Sequence, residues 1–163
     1  MRIARILGGM LALVLLTSCA GMQSTVVFRM RLDKEFAGKL AFTGIEAQSS
    51  VRRFTQADLD QLKEAVRARA PQPASGGVPV TIQMTVTDYG PGASGMTVAV
   101  RVVDAAGKLY AQFDVHQTAN AVLGTVYDQR SSVINAVADR VAYSLMALPS
   151  APAPAIDARD YGS

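Results

Sequence analysis

The stretch Val78-Pro-Val-Thr-Ile-Gln-Met-Thr-Val-Thr87 decides the fold. Its apolar residues fall on every second position, with Pro79, Thr81, Gln83, Thr85 and Thr87 between them. This period of two is typical of a strand with one buried and one polar face. The alternation recurs over 96–102 and 109–115, after a glycine-rich turn (89–95) and a tight turn (104–107). Three strands joined by short turns predict an antiparallel meander.

Two shorter strands and one helix are predicted upstream of the meander. Residues 25–30 are β-branched and apolar, and residues 39–45 alternate as a strand with both faces partly covered. Thr55 and Asp58 form a capping-box pair after Phe54, which stands where a hydrophobic staple would put it. An amphipathic helix follows until Pro71 ends it.

A second helix is predicted from Thr125 or Tyr127 to Leu148. Val126, Val133, Ile134, Val137, Val141 and Leu145 form its apolar stripe, whereas Arg130 and Arg140 are expected to face away. The predicted fold class is α+β. We expect a two-layer sandwich, with an antiparallel sheet of about four strands and two helices packed on one face. The strand order stays open.

The N-terminus carries a basic and then an apolar segment. Arg2 and Arg5 precede the eleven uncharged residues 6–16, too few to cross a bilayer but typical of the apolar region of a signal peptide. Leu16-Thr17-Ser18-Cys19 resembles the lipobox of bacterial lipoproteins, in which the signal peptide is cut before the cysteine. The resemblance implies that Leu16, Thr17 and Ser18 are the cleavage motif and that Cys19 is the acylated residue.

This resemblance divides the chain into four parts. Residues 1–18 are the expected signal peptide, 19–24 the acylated cysteine with a short tether, 25–148 the α+β domain, and 149–163 a disordered Pro/Ala tail. The alternatives are an ordinary secretory signal that leaves a free thiol, or an uncleaved signal anchor. In enteric lipoproteins, an Asp directly after the cysteine resembles a signal for retention in the inner membrane. This chain has Ala20 at that position. The resemblance therefore implies the periplasmic leaflet of the outer membrane rather than the inner membrane.

Residues 25–148 resemble small bacterial envelope lipoproteins of unknown function. The likeness is carried by residues 80–90, by 98–107 with its Asp-Ala-x-Gly turn, and by the helix over 132–148. Many of these relatives have a longer insertion where this chain has only residues 90–95. The resemblance implies a fold and a location, and it implies no catalytic residues.

Net charge gives no sign of a nucleic-acid partner. The chain has 16 basic and 13 acidic residues, but Arg2 and Arg5 leave with the signal peptide, so the remainder is nearly neutral. Nucleic-acid binding would need a basic surface. With Cys19 acylated, no thiol remains for a disulfide or a metal.

The search for chemistry finds no catalytic constellation, and we expect neither an enzyme nor a cofactor. His116 is the only histidine, and one histidine does not make a zinc site. Asp60 and Glu64 are better explained as acids near a helix N-terminus than as a cation site. Strand parity instead predicts a polar sheet face, and we expect a protein partner there. Its candidate residues are Thr81, Gln83, Thr85, Arg101, Gln112 and His116, with Thr87, Tyr110 and Asp114 beside them.

Two functions therefore stand as hypotheses. The first is a non-enzymatic binding or scaffolding module of an envelope complex, held at the membrane by acylated Cys19. The second is a lipid- or glycolipid-handling auxiliary lipoprotein, which would need an apolar groove between the helices and the sheet.

Overall fold

The computed structural model describes residues 23–36, 38–71, 75–90, 95–118 and 126–147 of the 163-residue chain. The expected signal peptide, Cys19 and the Pro/Ala tail lie outside these residues. Within them the fold is α+β, as predicted, with two helices and a five-stranded sheet.

The strands run in the order β1-β5-β4-β3-β2 across the sheet. Their bounds are β1, Gln23–Met30; β2, Leu40–Ser49; β3, Val78–Tyr89; β4, Gly95–Asp104; and β5, Leu109–Thr118. The helices are α1, Gln56–Arg67, and α2, Val126–Ala147. A single 3-10 turn, Lys34–Phe36, lies between the two edge strands β1 and β2.

The prediction of an antiparallel sheet of about four strands was wrong in two respects. The sheet has five strands, and β2 pairs parallel with β3, so it is mixed. The parallel pair follows from the connection: α1 lies between β2 and β3 in the chain, and a strand-helix-strand unit returns the second strand parallel to the first. The predicted meander β3-β4-β5 is antiparallel throughout.

The first strand starts earlier than expected because it pairs with the last one. β1 begins at Gln23, which pairs with Thr118 of β5, and Val26 pairs with Val115. Ser24 falls within the predicted tether, and its hydroxyl donates to the side-chain carbonyl of Gln117. The strand therefore begins only four positions after Cys19.

The core is built from the alternating apolar residues of the central strands. Ile82, Met84, Val98, Val100 and Phe113 are almost fully buried. α1 contacts β2 and α2, and α2 contacts β5, β4 and β1. The apolar stripes of both helices enter the same core cluster, which includes Leu62 and Val66 of α1 and Ile134, Val137 and Val141 of α2.

Candidate functional site

Cross-strand pairing brings three of the predicted partner residues into one row. Gln83 of β3 pairs with Arg101 of β4, and Arg101 pairs with Gln112 of β5. Directly paired residues on neighbouring strands point to the same face of a sheet. The row therefore crosses the three central strands on what we call the polar face, the side opposite Ile82, Val100 and Phe113.

A second row lies beside the first. Thr85 pairs with Ala99, and Ala99 pairs with Asp114. The edge strand β2 contributes side chains to both rows: Gln48 Nε2 donates to Thr85 Oγ1 at 3.1 Å, and Gln83 Nε2 donates to Glu46 Oε2 at 3.1 Å. These bonds fix the side chains of β3 on the polar face.

Asp114 was expected to be exposed on this face, and the structure buries it. Only 7% of the residue is accessible. Arg29 of β1 covers it, since its Nε donates to Asp114 Oδ2 at 2.7 Å and its Nη2 lies 2.6 Å from the same oxygen. Strand parity placed Asp114 on the correct side, but the pairing of β1 with β5 that brings Arg29 over it is non-local.

Tyr110 is also buried rather than exposed. Its ring packs edge-on against Phe36 with centroids 5.0 Å apart, and the ammonium of Lys108 lies over it. Burial, and then the hydrogen bond that its hydroxyl donates to Asp104, raise the pKa of Tyr110. Tyr110 is therefore a packing residue and does not belong to an exposed surface.

His116 lies at the rim of the polar face and is exposed. It pairs with Thr97 on one side and Thr25 on the other. Its Nδ1 is 3.2 Å from Thr97 Oγ1. Within the described residues, no three His, Cys, Asp or Glu side chains are grouped so that they could hold a metal ion.

Arg101 is the charged centre of this face. Among the described residues, the ion pairs use Arg29, Lys63, Arg67, Arg69 and Arg130, and none of them uses Arg101. Arg101 is exposed and borders an open depression of about 320 Å³. Glu46, Gln48, Gln83 and Thr85 line the same depression, so a cation, a carboxylate and several amide or hydroxyl groups converge there.

Sequence reasoning missed a second polar cluster, which joins the two helices to the sheet. Arg130 was expected to face away from the core, yet its Nη1 donates to Asp58 at 3.1 Å and its Nε donates to the Tyr89 hydroxyl at 3.1 Å. The bond to Tyr89, followed by Asp58, raises the pKa of Arg130. The predicted capping box is present, with Asp58 Oδ2 accepting from Thr55 N at 2.7 Å. Phe54 packs on Tyr89.

An open depression of about 600 Å³ lies between β2 and the end of α1. Phe42, Ile45, Ala70 and Pro71 provide apolar lining, and Arg67 and Glu46 provide charge. It shares Glu46 with the depression beside Arg101, but it includes no residue of the row Gln83–Arg101–Gln112. In the described part of the chain, neither helix combines the length and the apolar character that a membrane span requires.

The likeness of this chain to solved structures is weak. No protein-family model matches the chain, and no curated protein matches it. Two solved structures of the PelC dodecamer from Paraburkholderia phytofirmans are similar to it. A single-residue variant of PelC gives a TM-score of 0.40 at 15% identity, covering 75% of this chain and 98% of that one. The other structure gives 0.39 at 12% identity, covering 74% and 98%. These scores are too low to assign a shared fold.

Proposed function

We propose that this protein is a lipoprotein of the bacterial envelope that acts as a non-enzymatic binding or scaffolding module. Acylated Cys19 would hold it at the periplasmic leaflet of the outer membrane. The pattern Leu16-Thr17-Ser18-Cys19 after an apolar segment supports the anchor. Two or three acyl chains on one residue are enough for stable membrane attachment.

We further propose that both helices cover the same face of the sheet. Support comes from the shared core cluster, in which the inward residues of α1 and α2 join Ile82, Val100 and Phe113. The arrangement would leave the polar face for a partner. Thr81, Gln83, Thr85 and Gln112 on that face are half-buried by their neighbours, and Arg101 and His116 are exposed.

The row Gln83–Arg101–Gln112 is the observation that carries the binding proposal. Within the described ion pairs Arg101 has no carboxylate partner. It stands between two amide side chains that can both donate and accept hydrogen bonds. Such a row suits a protein surface that presents a carboxylate among polar groups.

Photo-crosslinking in cells tests this assignment. A crosslinking residue at Thr85 or Gln112 is expected to give one dominant envelope protein, identified by mass spectrometry. The matched control is Glu64, which is exposed on α1 in the other layer. If Glu64 gives the same adduct as strongly, or if neither face position gives an adduct above background, the polar face is not the binding surface.

Among the described residues, the candidate acid–base groups are engaged in structural contacts, and this supports the non-enzymatic proposal. His116 is hydrogen-bonded to Thr97 at the rim of the sheet. Asp58 is used by the capping box and by Arg130, and Asp60 is bridged to Lys63. Each of these candidate acid-base groups therefore has a structural explanation.

The lipid-handling hypothesis has one observation in its favour, the depression between β2 and α1. Its apolar lining from Phe42 and Ile45 with Arg67 at the rim could hold an acyl chain beside a phosphate. Native mass spectrometry of the purified chain tests it. A co-purifying lipid that is lost in Ile45→Asp would support this function over scaffolding, and the absence of any bound lipid would remove it.

A further inference from the structure

The strongest unexplained surface feature is an exposed apolar pair on α2. Tyr143 is 60% exposed and Met146 is 55% exposed, the highest values among the large apolar side chains of the described residues. Residues three apart on a helix lie on the same face. The guanidinium of Arg140 lies 5.8 Å from the centre of the Tyr143 ring. An exposed aromatic ring, an exposed thioether and a half-buried cation therefore form one stripe along α2.

This stripe lies close to the point where the chain enters the domain. Ser24, near the start of β1, borders the same shallow depression of about 380 Å³ as Ala136, Arg140 and Tyr143. Cys19 precedes Ser24 by five residues, which span at most about 18 Å when fully extended. A bilayer that holds Cys19 is thus within reach of the α2 stripe.

We infer that the stripe Arg140, Tyr143 and Met146 rests on the bilayer surface to which Cys19 is attached. The inference rests on the proposed lipid anchor. Tyrosine is enriched at the level of lipid headgroups because its ring is apolar and its hydroxyl polar. Arginine reaches phosphates while its stem lies along apolar surface. Asp139 also lines this depression, and its carboxylate forms an ion pair with Arg69. This pairing reduces the repulsion between Asp139 and lipid phosphates.

The anchor makes a small contact surface sufficient. Three side chains alone would bind a membrane weakly, but tethering replaces an intermolecular association by an intramolecular one at high effective concentration. The contact then only has to select an orientation of the domain. With α2 against the lipid, the polar face of the sheet would point away from the membrane, towards a partner.

Spin labelling of the full acylated chain tests the inference. Cys19 is the only cysteine, so once it is acylated an introduced cysteine is the only free thiol. Labels at Met146→Cys, Thr85→Cys and Glu64→Cys are compared in vesicles of phosphatidylethanolamine and phosphatidylglycerol at 3:1. Collision with oxygen, which enriches in lipid, is measured against collision with a water-soluble nickel chelate.

We expect the ratio of oxygen collisions to nickel collisions to be at least threefold higher for the label at position 146 than for the label at position 85. The ratio at position 64 should equal that at position 85 or lie between the other two. Replacing Tyr143 by Ser in the Met146→Cys chain should lower that ratio towards the value at 85. Both substitutions are on exposed positions, so the fold is retained, and unchanged circular dichroism confirms this.

Three results would overturn the inference. Equal ratios at 146 and 85 on a chain whose mass shows acylation would reject the membrane-facing stripe and leave the anchor standing. Spin–spin coupling between labels at 146, without oxygen enhancement, would assign the stripe to contact between two copies. A mature mass without acyl chains would reject the anchor, and with it both the proposed location and this inference.

Discussion

Arg130 Nη1 lies 3.1 Å from Oδ2 of Asp58, a residue 72 positions earlier, and this pair ties the first turn of α1 to α2. Asp58 is 5% exposed and also caps α1 through Thr55. One carboxylate therefore caps the start of α1, accepts from a guanidinium and, through Arg130, connects both helices to Tyr89 of β3.

Loss of this guanidinium is expected to destabilise the domain. Arg130→Met leaves the buried Asp58 carboxylate without its cation and should lower the free energy of unfolding by about 1–3 kcal/mol. Urea denaturation followed by circular dichroism measures the change. Arg52→Met, an exposed arginine before α1, serves as the matched control and should cost less than about 0.5 kcal/mol. Equal effects of the two substitutions would mean that the Arg130 contacts contribute nothing specific.

The tight turn between β4 and β5 should show a defined pH dependence. Asp104 Oδ1 accepts from the backbone N–H groups of Ala106 and Lys108 at 2.9 Å, and its Oδ2 accepts from the Tyr110 hydroxyl at 3.1 Å. Desolvation acts to raise the pKa of Asp104, but these hydrogen bonds outweigh it and the pKa is lowered from 3.8.

A carboxyl group whose pKa is lower in the folded than in the unfolded chain stabilises the fold at pH values above its unfolded pKa. That stabilisation is lost as the pH falls through the folded pKa. Asp104→Asn should therefore be less stable than the parent at pH 7, and the difference in urea midpoint should shrink below pH 3.8. A difference that stays constant from pH 7 to pH 2 would show that the charge of Asp104 plays no part.

Gly107 completes the same turn with a φ of +81°. A residue with a side chain adopts this left-handed conformation only at a cost in free energy. That cost is conformational, because a Cβ at Gly107 would meet no neighbouring atom. We expect Gly107→Ala to lower the free energy of unfolding by about 1 kcal/mol. Gly107→Asn should cost less, because asparagine tolerates this region better. Thermal unfolding of the two variants side by side checks the order.

Reversal of charge at the centre of the polar face should weaken partner capture without unfolding the domain. Arg101→Glu changes an exposed residue outside the described ion pairs, so its effect on the free energy of unfolding should stay within about 0.5 kcal/mol. The yield of the Thr85 crosslink should fall at least fivefold, because a carboxylate on the partner would then be repelled. Arg52→Glu is the control for net charge, and an equal fall in that variant would contradict a specific role for Arg101.

The location is tested by the residue after the expected acylation site. If the chain follows the sorting pattern that its lipobox resembles, Ala20→Asp should move it from the outer- to the inner-membrane fraction of an enteric host. Separation of the membranes on a sucrose gradient reads out the shift, and Ala20→Ser is the control that should stay with the outer membrane. An unchanged distribution in Ala20→Asp would argue against this sorting.

The local patterns in the sequence predicted most elements, whereas the notable failures concern pairings between segments that are distant in the chain. The alternation in Val78–Tyr89 and the two strands after it follows from burial of one sheet face, so it is readable from residue order alone. The capping box of Thr55 and Asp58 is likewise local, and it is confirmed. The parallel pairing of β2 with β3 depends on how α1 folds back, although the order strand-helix-strand could have indicated it.

The polar face shows the same division. Parity put Gln83, Arg101 and Gln112 on one side, and pairing aligns them in a row. Strand parity could not show that Arg29 would cover Asp114 or that Phe36 would pack on Tyr110. Both contacts come from segments more than 70 residues away in the chain. Arg130 was misjudged for a similar reason: its partners belong to α1 and β3.

The sheet order has a consequence for the time course of folding. Strand β1 is made first but its neighbour in the sheet is β5, with Gln23 opposite Thr118. Pairing β1 with β5 closes a loop of many residues, which carries an entropic cost that local hairpins avoid. We therefore expect β3, β4 and β5 to pair with one another before β1 joins the sheet. The segment Thr25-Val-Val-Phe28 is therefore a bare, aggregation-prone strand until synthesis has passed residue 118. Strand β1, although made first, is therefore the strand whose neighbour in the sheet becomes available last.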